Sequence, residues 1–258
     1  MLESYADCGV LRFDLDDEGL LNSVVDEVSG LYLEVFAGLP ASNWLAEAQA
    51  RFDVLMADVD PAERYIVYWD DFGRGRIQDA WKSCPSVRKI ALHPTIVAIL
   101  HSLYGEEPRA FQTLNFKFPT QQQTHTDSVH FSNVERDKMC AVWIALEDID
   151  RENGPLMYYP GLHNMWHLNN LDGFESYPDW ACMIQKTLKE YEPEYGIMKK
   201  GEGIVWSANL LHGGAPAVDP NRTRWSQATH YYFGDGPFYS PVCRRFHGQK
   251  WKSVEWIE

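Results

Sequence analysis

Three residues set the chemistry this chain can support. In Gln121-Gln122-Gln123-Thr124-His125-Thr126-Asp127-Ser128-Val129-His130-Phe131, an imidazole and a carboxylate stand two positions apart. On extended backbone, residues i and i+2 point to one face, so His125 and Asp127 offer a nitrogen and an oxygen ligand to the same point. A third ligand is expected from His212 in Trp206-Ser207-Ala208-Asn209-Leu210-Leu211-His212-Gly213-Gly214, an apolar strand-like run that breaks at paired glycines just after the histidine. Two histidines and one carboxylate on one face of an octahedral metal leave the opposite face open, as in non-haem Fe(II) centres. Alone, a His-x-Asp is more simply a hydrogen-bonded pair at a strand end than a pair of metal ligands.

The segment Asn221-Arg222-Thr223-Arg224-Trp225-Ser226-Gln227-Ala228-Thr229-His230-Tyr231-Tyr232-Phe233 narrows the choice. Arg224 and Ser226 share a face by the same rule, on the strand that follows His212. A guanidinium presents a fixed fork of donors that matches a carboxylate, and the hydroxyl adds one more. The metal triad and this pair together describe a site for a metal and an organic acid.

In this order, these residues resemble the phytanoyl-CoA dioxygenase-like (PhyH) family of Fe(II)/2-oxoglutarate-dependent oxygenases. The resemblance runs from about Phe111 to Phe233. After the His125-x-Asp127 pair come Trp143-Ile144-Ala145-Leu146-Glu147-Asp148, then Asn153-Gly154-Pro155-Leu156 and Pro160-Gly161-Leu162-His163, and finally His212 and the arginine strand. Two departures stand out. The family's usual Pro-Gly-Ser-His reads Pro-Gly-Leu-His, and Arg222 competes with Arg224, which is preferred for its pairing with Ser226.

The resemblance implies a mainly β fold with flanking helices, a double-stranded β-helix (jelly roll, cupin-like). It implies Fe(II) held by His125, Asp127 and His212, with 2-oxoglutarate and O2 as co-substrates and Arg224 and Ser226 on the distal carboxylate. The implied reaction hydroxylates an unactivated C–H bond of a small-molecule metabolite, forming succinate and CO2, and the carboxylate at Asp127 favours oxygenation over halogenation. Trp143 matches the family's tryptophan by its spacing after His125 and is expected to pack on the co-substrate. In Gln112-Thr113-Leu114-Asn115-Phe116-Lys117-Phe118, alternation puts Thr113, Asn115 and Lys117 on one face; Asn115 and Lys117 are expected to reach 2-oxoglutarate, the other reading being an outward polar face. Gln112 and His130 are expected substrate contacts, each also open to a structural role. Two other classes remain: a metal-dependent cupin-type isomerase or lyase, and a non-catalytic ligand-binding jelly roll.

The elements that must position these groups follow from periodicity. Residues 16–36 and 41–58 carry helical spacing, and Ser86 to Tyr104 is expected as one helix ending at Gly105. From Phe111 the chain changes to short aromatic and β-branched runs separated by turns, the pattern of a sandwich or barrel. The stretch 168–200 interrupts that pattern. It is expected to insert a helix over Trp180 to Tyr191, as a lid or as a cover for a sheet edge. The expected organisation is one domain over 1–258, with 1–110 largely helical support and 111–233 the jelly-roll core.

Composition agrees with a globular enzyme: 258 residues, 45% hydrophobic and 14% aromatic. A net charge of -14 argues against nucleic acid or an anionic membrane as partner and leaves a small-molecule substrate. No basic, apolar leader opens the chain, no apolar run has membrane-spanning length, and the five cysteines are scattered without paired spacing, so a cytoplasmic protein with reduced thiols is expected.

Overall fold

The structure is a computed structural model that describes residues 2–36, 44–69, 75–133, 137–249, 251 and 253–258. The helices are α1 Leu2–Cys8, α2 Glu18–Phe36, α3 Trp44–Leu55, α4 Pro85–Ala91, α5 Pro94–Tyr104, α6 Tyr177–Thr187 and α7 Pro241–His247. The strands are β1 Val10–Asp14, β2 Ile66–Trp69, β3 Gly75–Gln78, β4 Arg109–Phe116, β5 Ser132–Asn133 and β6 Met139–Ala145, followed by β7 Leu156–Tyr158, β8 Glu194–Tyr195, β9 Glu202–Ser207, β10 His212–Gly214, β11 Ser226–Tyr232 and β12 Phe238–Tyr239. One antiparallel sheet runs β1-β9-β6-β11-β4-β3-β2, a smaller one β10-β7-β8, and β12 pairs with β5.

The large sheet is covered on both faces, so β6 reads as a continuous apolar run and alternation along the strands sorts side chains between two cores. Along β6, Cys140, Val142 and Ile144 pack with Val24, Val28, Ile90 and Leu100 of the helices. The intervening Ala141, Trp143 and Ala145 pack with Leu156 and Tyr158 of the smaller sheet. β9 divides the same way, Val205 towards the helices and Ile204 and Trp206 towards the smaller sheet. Helices outside and a second antiparallel sheet inside make a jelly roll with flanking helices, as expected.

The sheet draws on more of the chain than 111–233. β1 lines up along β9 and β3 along β4, so the region before residue 111 supplies three strands at the two edges rather than helical support alone. At four or five residues each, these strands are too short to stand out by periodicity beside helices of 19 and 12 residues. The single helix expected over Ser86 to Tyr104 is also corrected to two. Pro94 disfavours the helical region for the residue before it and pushes it towards extended backbone. His93 accordingly sits at φ -61, ψ 129, where its Nδ1 accepts from Thr95 N and caps α5. α5 then ends at Gly105 in the left-handed region, φ +71.

The inserted helix is present and starts a turn earlier than expected. Ser176 Oγ accepts from Asp179 N as the cap, Pro178 sits in the first turn, and a 3-10 turn continues to Glu190. Trp180 and Ile184 are fully buried with Leu168 and Leu171 against Val129 and Leu211, next to the metal-ligand segments. No helix among the described residues is long and apolar enough to cross a membrane.

Candidate metal centre

Asp127 opens a short 3-10 turn, His125 lies just before it, and His212 opens β10. The two histidine segments are joined by reciprocal backbone bonds, His125 N to His212 O and His212 N to His125 O, both 2.9 Å. Thr126 between the first two ligands is extended, φ -119 and ψ 147, which sends both side chains to one side. His212, however, does not end an apolar strand. β9 stops at Ser207, the chain turns through Ala208 and Asn209, and His212 begins a new strand that contains the glycines. Leu210 and Leu211 are fully buried in this turn, and burial in a turn leaves the same apolar signature as burial in a strand. The glycines serve close approach: a Cβ on Gly213 would lie 2.7 Å from Gln122 O, and one on Gly214 2.9 Å from Gln121 N.

The ligand atoms of His125, Asp127 and His212 all lie within 4.8 Å of one another. Asp127 Oδ1 is 3.9 Å from His125 Nε2 and 3.7 Å from His212 Nε2. Each outer nitrogen is committed to a carbonyl, His125 Nδ1 to Gln123 O at 2.9 Å and His212 Nδ1 to Leu210 O at 3.0 Å. A carbonyl only accepts, so Nδ1 carries the proton and Nε2 turns its lone pair inward. Trp206 Nε1 donates to Asp127 Oδ2 at 2.7 Å, leaving Oδ1 to the imidazoles. Burial, with His212 adding to it, pushes the His125 pKa down to about 3. Burial works to raise Asp127, but His212, His230 and His125 hold it well below the usual carboxylate range. An anionic carboxylate and two imidazoles whose Nε2 atoms converge on it fit a divalent metal.

His230 was not singled out by the sequence. Its Nε2 lies 3.7 Å from Asp127 Oδ2, and it is nearly fully buried. The available signal was its even spacing from Ser226 on one strand, which puts both on the cavity face.

The triad lines a cavity of about 570 Å³ between the two sheets, which Arg224 also lines. Arg224 is 5% exposed and its Nη1 donates to Ser226 Oγ at 2.7 Å. The guanidinium carbon lies 5.1 Å from the centre of the Phe116 ring and 5.3 Å from that of Trp143. Its Nε finds no hydrogen-bond partner, and among the described residues no carboxylate comes within ion-pair distance, Glu147 acting on it only as a more distant attraction. Burial lowers its pKa to about 10, which still leaves a cation at neutral pH.

Two of the sequence motifs brace this arginine. Glu147 accepts from Trp225 N at 2.5 Å and from Thr223 Oγ1 at 2.9 Å, and buried Asn153 donates to Thr223 O at 3.1 Å. Arg222 instead lies near the surface, paired with Asp150 at 2.9 Å and Glu152 at 3.2 Å.

Gln112, His130 and Trp143 line the cavity; Asn115 and Lys117 do not. β4 alternates as expected but the other way round: Gln112, Leu114 and Phe116 face the cavity. Asn115 Nδ2 donates to Gln227 Oε1 at 3.3 Å, in the layer where Gln227 reaches Val87 O of α4. The Lys117 amine lies 5.9 Å from the ring centre of Tyr32 and 5.8 Å from that of Trp225. Alternation pairs residues on a face without saying which face meets the cavity, and on a sheet buried on both sides polarity does not decide it. His163, which closes the Pro-Gly-Leu-His motif, bonds through Nε2 to Ala6 O and lies outside this cavity.

Fold and site thus define a jelly roll with a two-histidine, one-carboxylate centre. The family model described as phytanoyl-CoA dioxygenase (PhyH) matches residues 32–224, and the chain belongs to that family. It is 28% identical over 193 residues to the peroxisomal phytanoyl-CoA dioxygenase of Rattus norvegicus, covering 70% of this chain and 53% of that one. The corresponding Homo sapiens enzyme is 25% identical over 163 residues, covering 59% of this chain and 45% of that one, so the chain spans about half the length of these relatives. Among solved structures, the non-heme alpha ketoglutarate dependent carbocyclase SnoK from nogalamycin biosynthesis superposes with a TM-score of 0.65 at 15% identity, covering 98% of this chain and 92% of that one. EctD from S. alaskensis with 2-oxoglutarate and 5-hydroxyectoine gives a TM-score of 0.60 at 16% identity, covering 90% of this chain and 74% of that one.

Proposed function

We propose that the protein is an Fe(II)/2-oxoglutarate-dependent oxygenase that hydroxylates an unactivated C–H bond of a small molecule, with 2-oxoglutarate and O2 converted to succinate and CO2. One observation carries this reading beyond a bare metal site. Arg224 is a buried cation without a carboxylate partner, set beside the Ser226 hydroxyl and opening on the cavity that the triad lines. A buried charge is costly until it is paired, so this arrangement calls for an anionic ligand next to the metal. The distal carboxylate of 2-oxoglutarate meets that requirement, and a cupin-type isomerase or lyase has no use for it.

His125, Asp127 and His212 hold the metal in this reading, Arg224 and Ser226 fix the far carboxylate, and Trp143 packs beside it. Bound Fe(II), with the co-substrate, supplies the O2 chemistry. The protein's share is position and dryness. The Nδ1 bonds of both histidines and the Trp206 bond to Asp127 set the ligands before the metal arrives. Phe116, Trp143, Leu156 and Trp206 wall the cavity with apolar surface, and Gln112 and His130 are placed to orient a substrate.

Calorimetric titration of 2-oxoglutarate into anaerobic, Fe(II)-loaded protein tests the reading. We expect one binding site that vanishes without metal, and succinate formation once O2 is admitted. Full metal loading without 2-oxoglutarate binding would overturn it.

A further inference from the structure

Gln112 is the feature of the cavity that neither metal nor 2-oxoglutarate explains. It is 8% exposed and lines the cavity, yet its side-chain amide has no hydrogen-bond partner among the described residues. In the register of β11 against β4, Gln112 lies opposite His230, while Phe116 lies opposite Ser226. Four residues separate the two pairs, about 13 Å at the rise of an antiparallel strand. Arg224 marks the Ser226 end, and His230, 3.7 Å from Asp127 Oδ2, marks the other. With 2-oxoglutarate running from Arg224 to the metal, the Gln112 end is the wall left for the substrate.

That wall is polar without being charged. The charged side chains among the described residues lining the cavity are Asp127, Arg224 and Arg76. Asp127 belongs to the metal and Arg224 to the co-substrate, and Arg76, its Nη1 on Gln122 Oε1 at 3.3 Å, lies opposite Phe116 in the register of β3 against β4, at the Arg224 end. Around Gln112 stand His230 and the Phe131 ring, 5.3 Å from the imidazole. An ionic group brought here finds no counter-charge at this wall, and a bare hydrocarbon chain seated against it would shut the Gln112 amide off from water without replacing the lost bond.

We infer that the substrate group presented to the metal is uncharged and carries a hydroxyl or carbonyl that the Gln112 amide holds, as in a hydroxylated ring compound, and is not the hydrocarbon chain of an acyl thioester. The inference rests on the 2-oxoglutarate reading. A site built to hydrogen-bond such a group discriminates strongly against analogues that lack it.

The test uses the anaerobic Fe(II) and 2-oxoglutarate complex of the whole chain, whose visible charge-transfer band responds when a substrate displaces metal-bound water. The probes are salicin, kaempferol and a panel of neutral phenyl glycosides and flavonols, with palmitoyl-CoA and L-proline as the charged or hydrocarbon alternatives. We expect neutral hydroxylated members to shift the band, and palmitoyl-CoA and L-proline to leave it in place. Gln112→Leu and Gln112→Met should each weaken the responding probe at least tenfold while the unshifted band keeps its intensity, which shows an intact site. A response to palmitoyl-CoA with none from the neutral panel, a shift unchanged in both variants, or loss of the unshifted band in the variants would each overturn the inference. Absence of the band in the unaltered protein is a separate result that strikes the 2-oxoglutarate reading itself.

Discussion

Asp127 divides its two oxygens between two tasks. Oδ2 takes the indole N–H of Trp206 at 2.7 Å, and Oδ1 remains for the metal. Trp206→Phe keeps the ring that lies 4.7 Å from His212 and removes only the donor. Metal affinity should fall by roughly 10- to 100-fold, measured by Co(II) titration of the visible d–d bands, with little loss of thermal stability. Asp127→Ala should abolish Fe(II) binding at micromolar metal, because two neutral imidazoles are all that remains; retained hydroxylation in that variant would remove Asp127 from the centre. The arginines separate just as sharply. Arg224→Ala should raise the 2-oxoglutarate dissociation constant by roughly 10- to 150-fold, the equivalent of a charge-assisted hydrogen bond of about 1.5–3 kcal/mol, while Fe(II) affinity stays near its original value. Arg222→Ala should change neither, since its partners Asp150 and Glu152 are surface carboxylates. A reversed pattern would move the co-substrate away from Ser226.

At the scale of elements, the site depends on two segments held backbone to backbone. Gly213 in β10 faces Gln122 O so closely that a methyl group must push the segments apart. Gly213→Ala is therefore expected to weaken metal binding at least tenfold in the same Co(II) titration while the far-ultraviolet circular dichroism stays unchanged. The inserted α6 buttresses the same segments, since its Trp180 packs with Val129 and Leu211. Trp180→Ala should cost about 3–5 kcal/mol in urea unfolding and lower metal affinity along with stability. Much of this level was legible in the residues. His125, Asp127 and Arg224-x-Ser226 announced themselves because side-chain chemistry and i, i+2 spacing survive in any extended segment. What failed were choices that local pattern leaves open. The face of β4 that meets the cavity was misassigned, so Asn115 and Lys117 turn towards the helices. The break at Pro94 was passed over in a strong apolar rhythm, and β1 to β3 were too short to be seen. Trp206 becomes visible as a site residue only when a separate strand brings it to Asp127, and His230 had no signal beyond its even spacing from Ser226.

Taken as a whole molecule, the protein keeps an anionic carboxylate and three imidazoles together in a buried cavity, a cluster that a divalent cation completes. Metal with 2-oxoglutarate should therefore stabilise the fold by mass action, about 2.7 kcal/mol when ligand stands at 100 times its dissociation constant, and chelation should reverse the gain. Differential scanning calorimetry with and without EDTA reads this directly; an unfolding temperature indifferent to metal would place the cation elsewhere. The central claim is that one cavity holds Fe(II) and 2-oxoglutarate together, the metal on His125, Asp127 and His212 and the acid on Arg224. Anaerobic addition of Fe(II) and 2-oxoglutarate, followed by visible difference spectroscopy, tests it most directly. The account predicts a weak metal-to-ligand charge-transfer band that appears only with both components, is lost in Asp127→Ala, and needs far more 2-oxoglutarate in Arg224→Ala. No band in the unaltered protein, or one that saturates equally in Arg224→Ala, would contradict it.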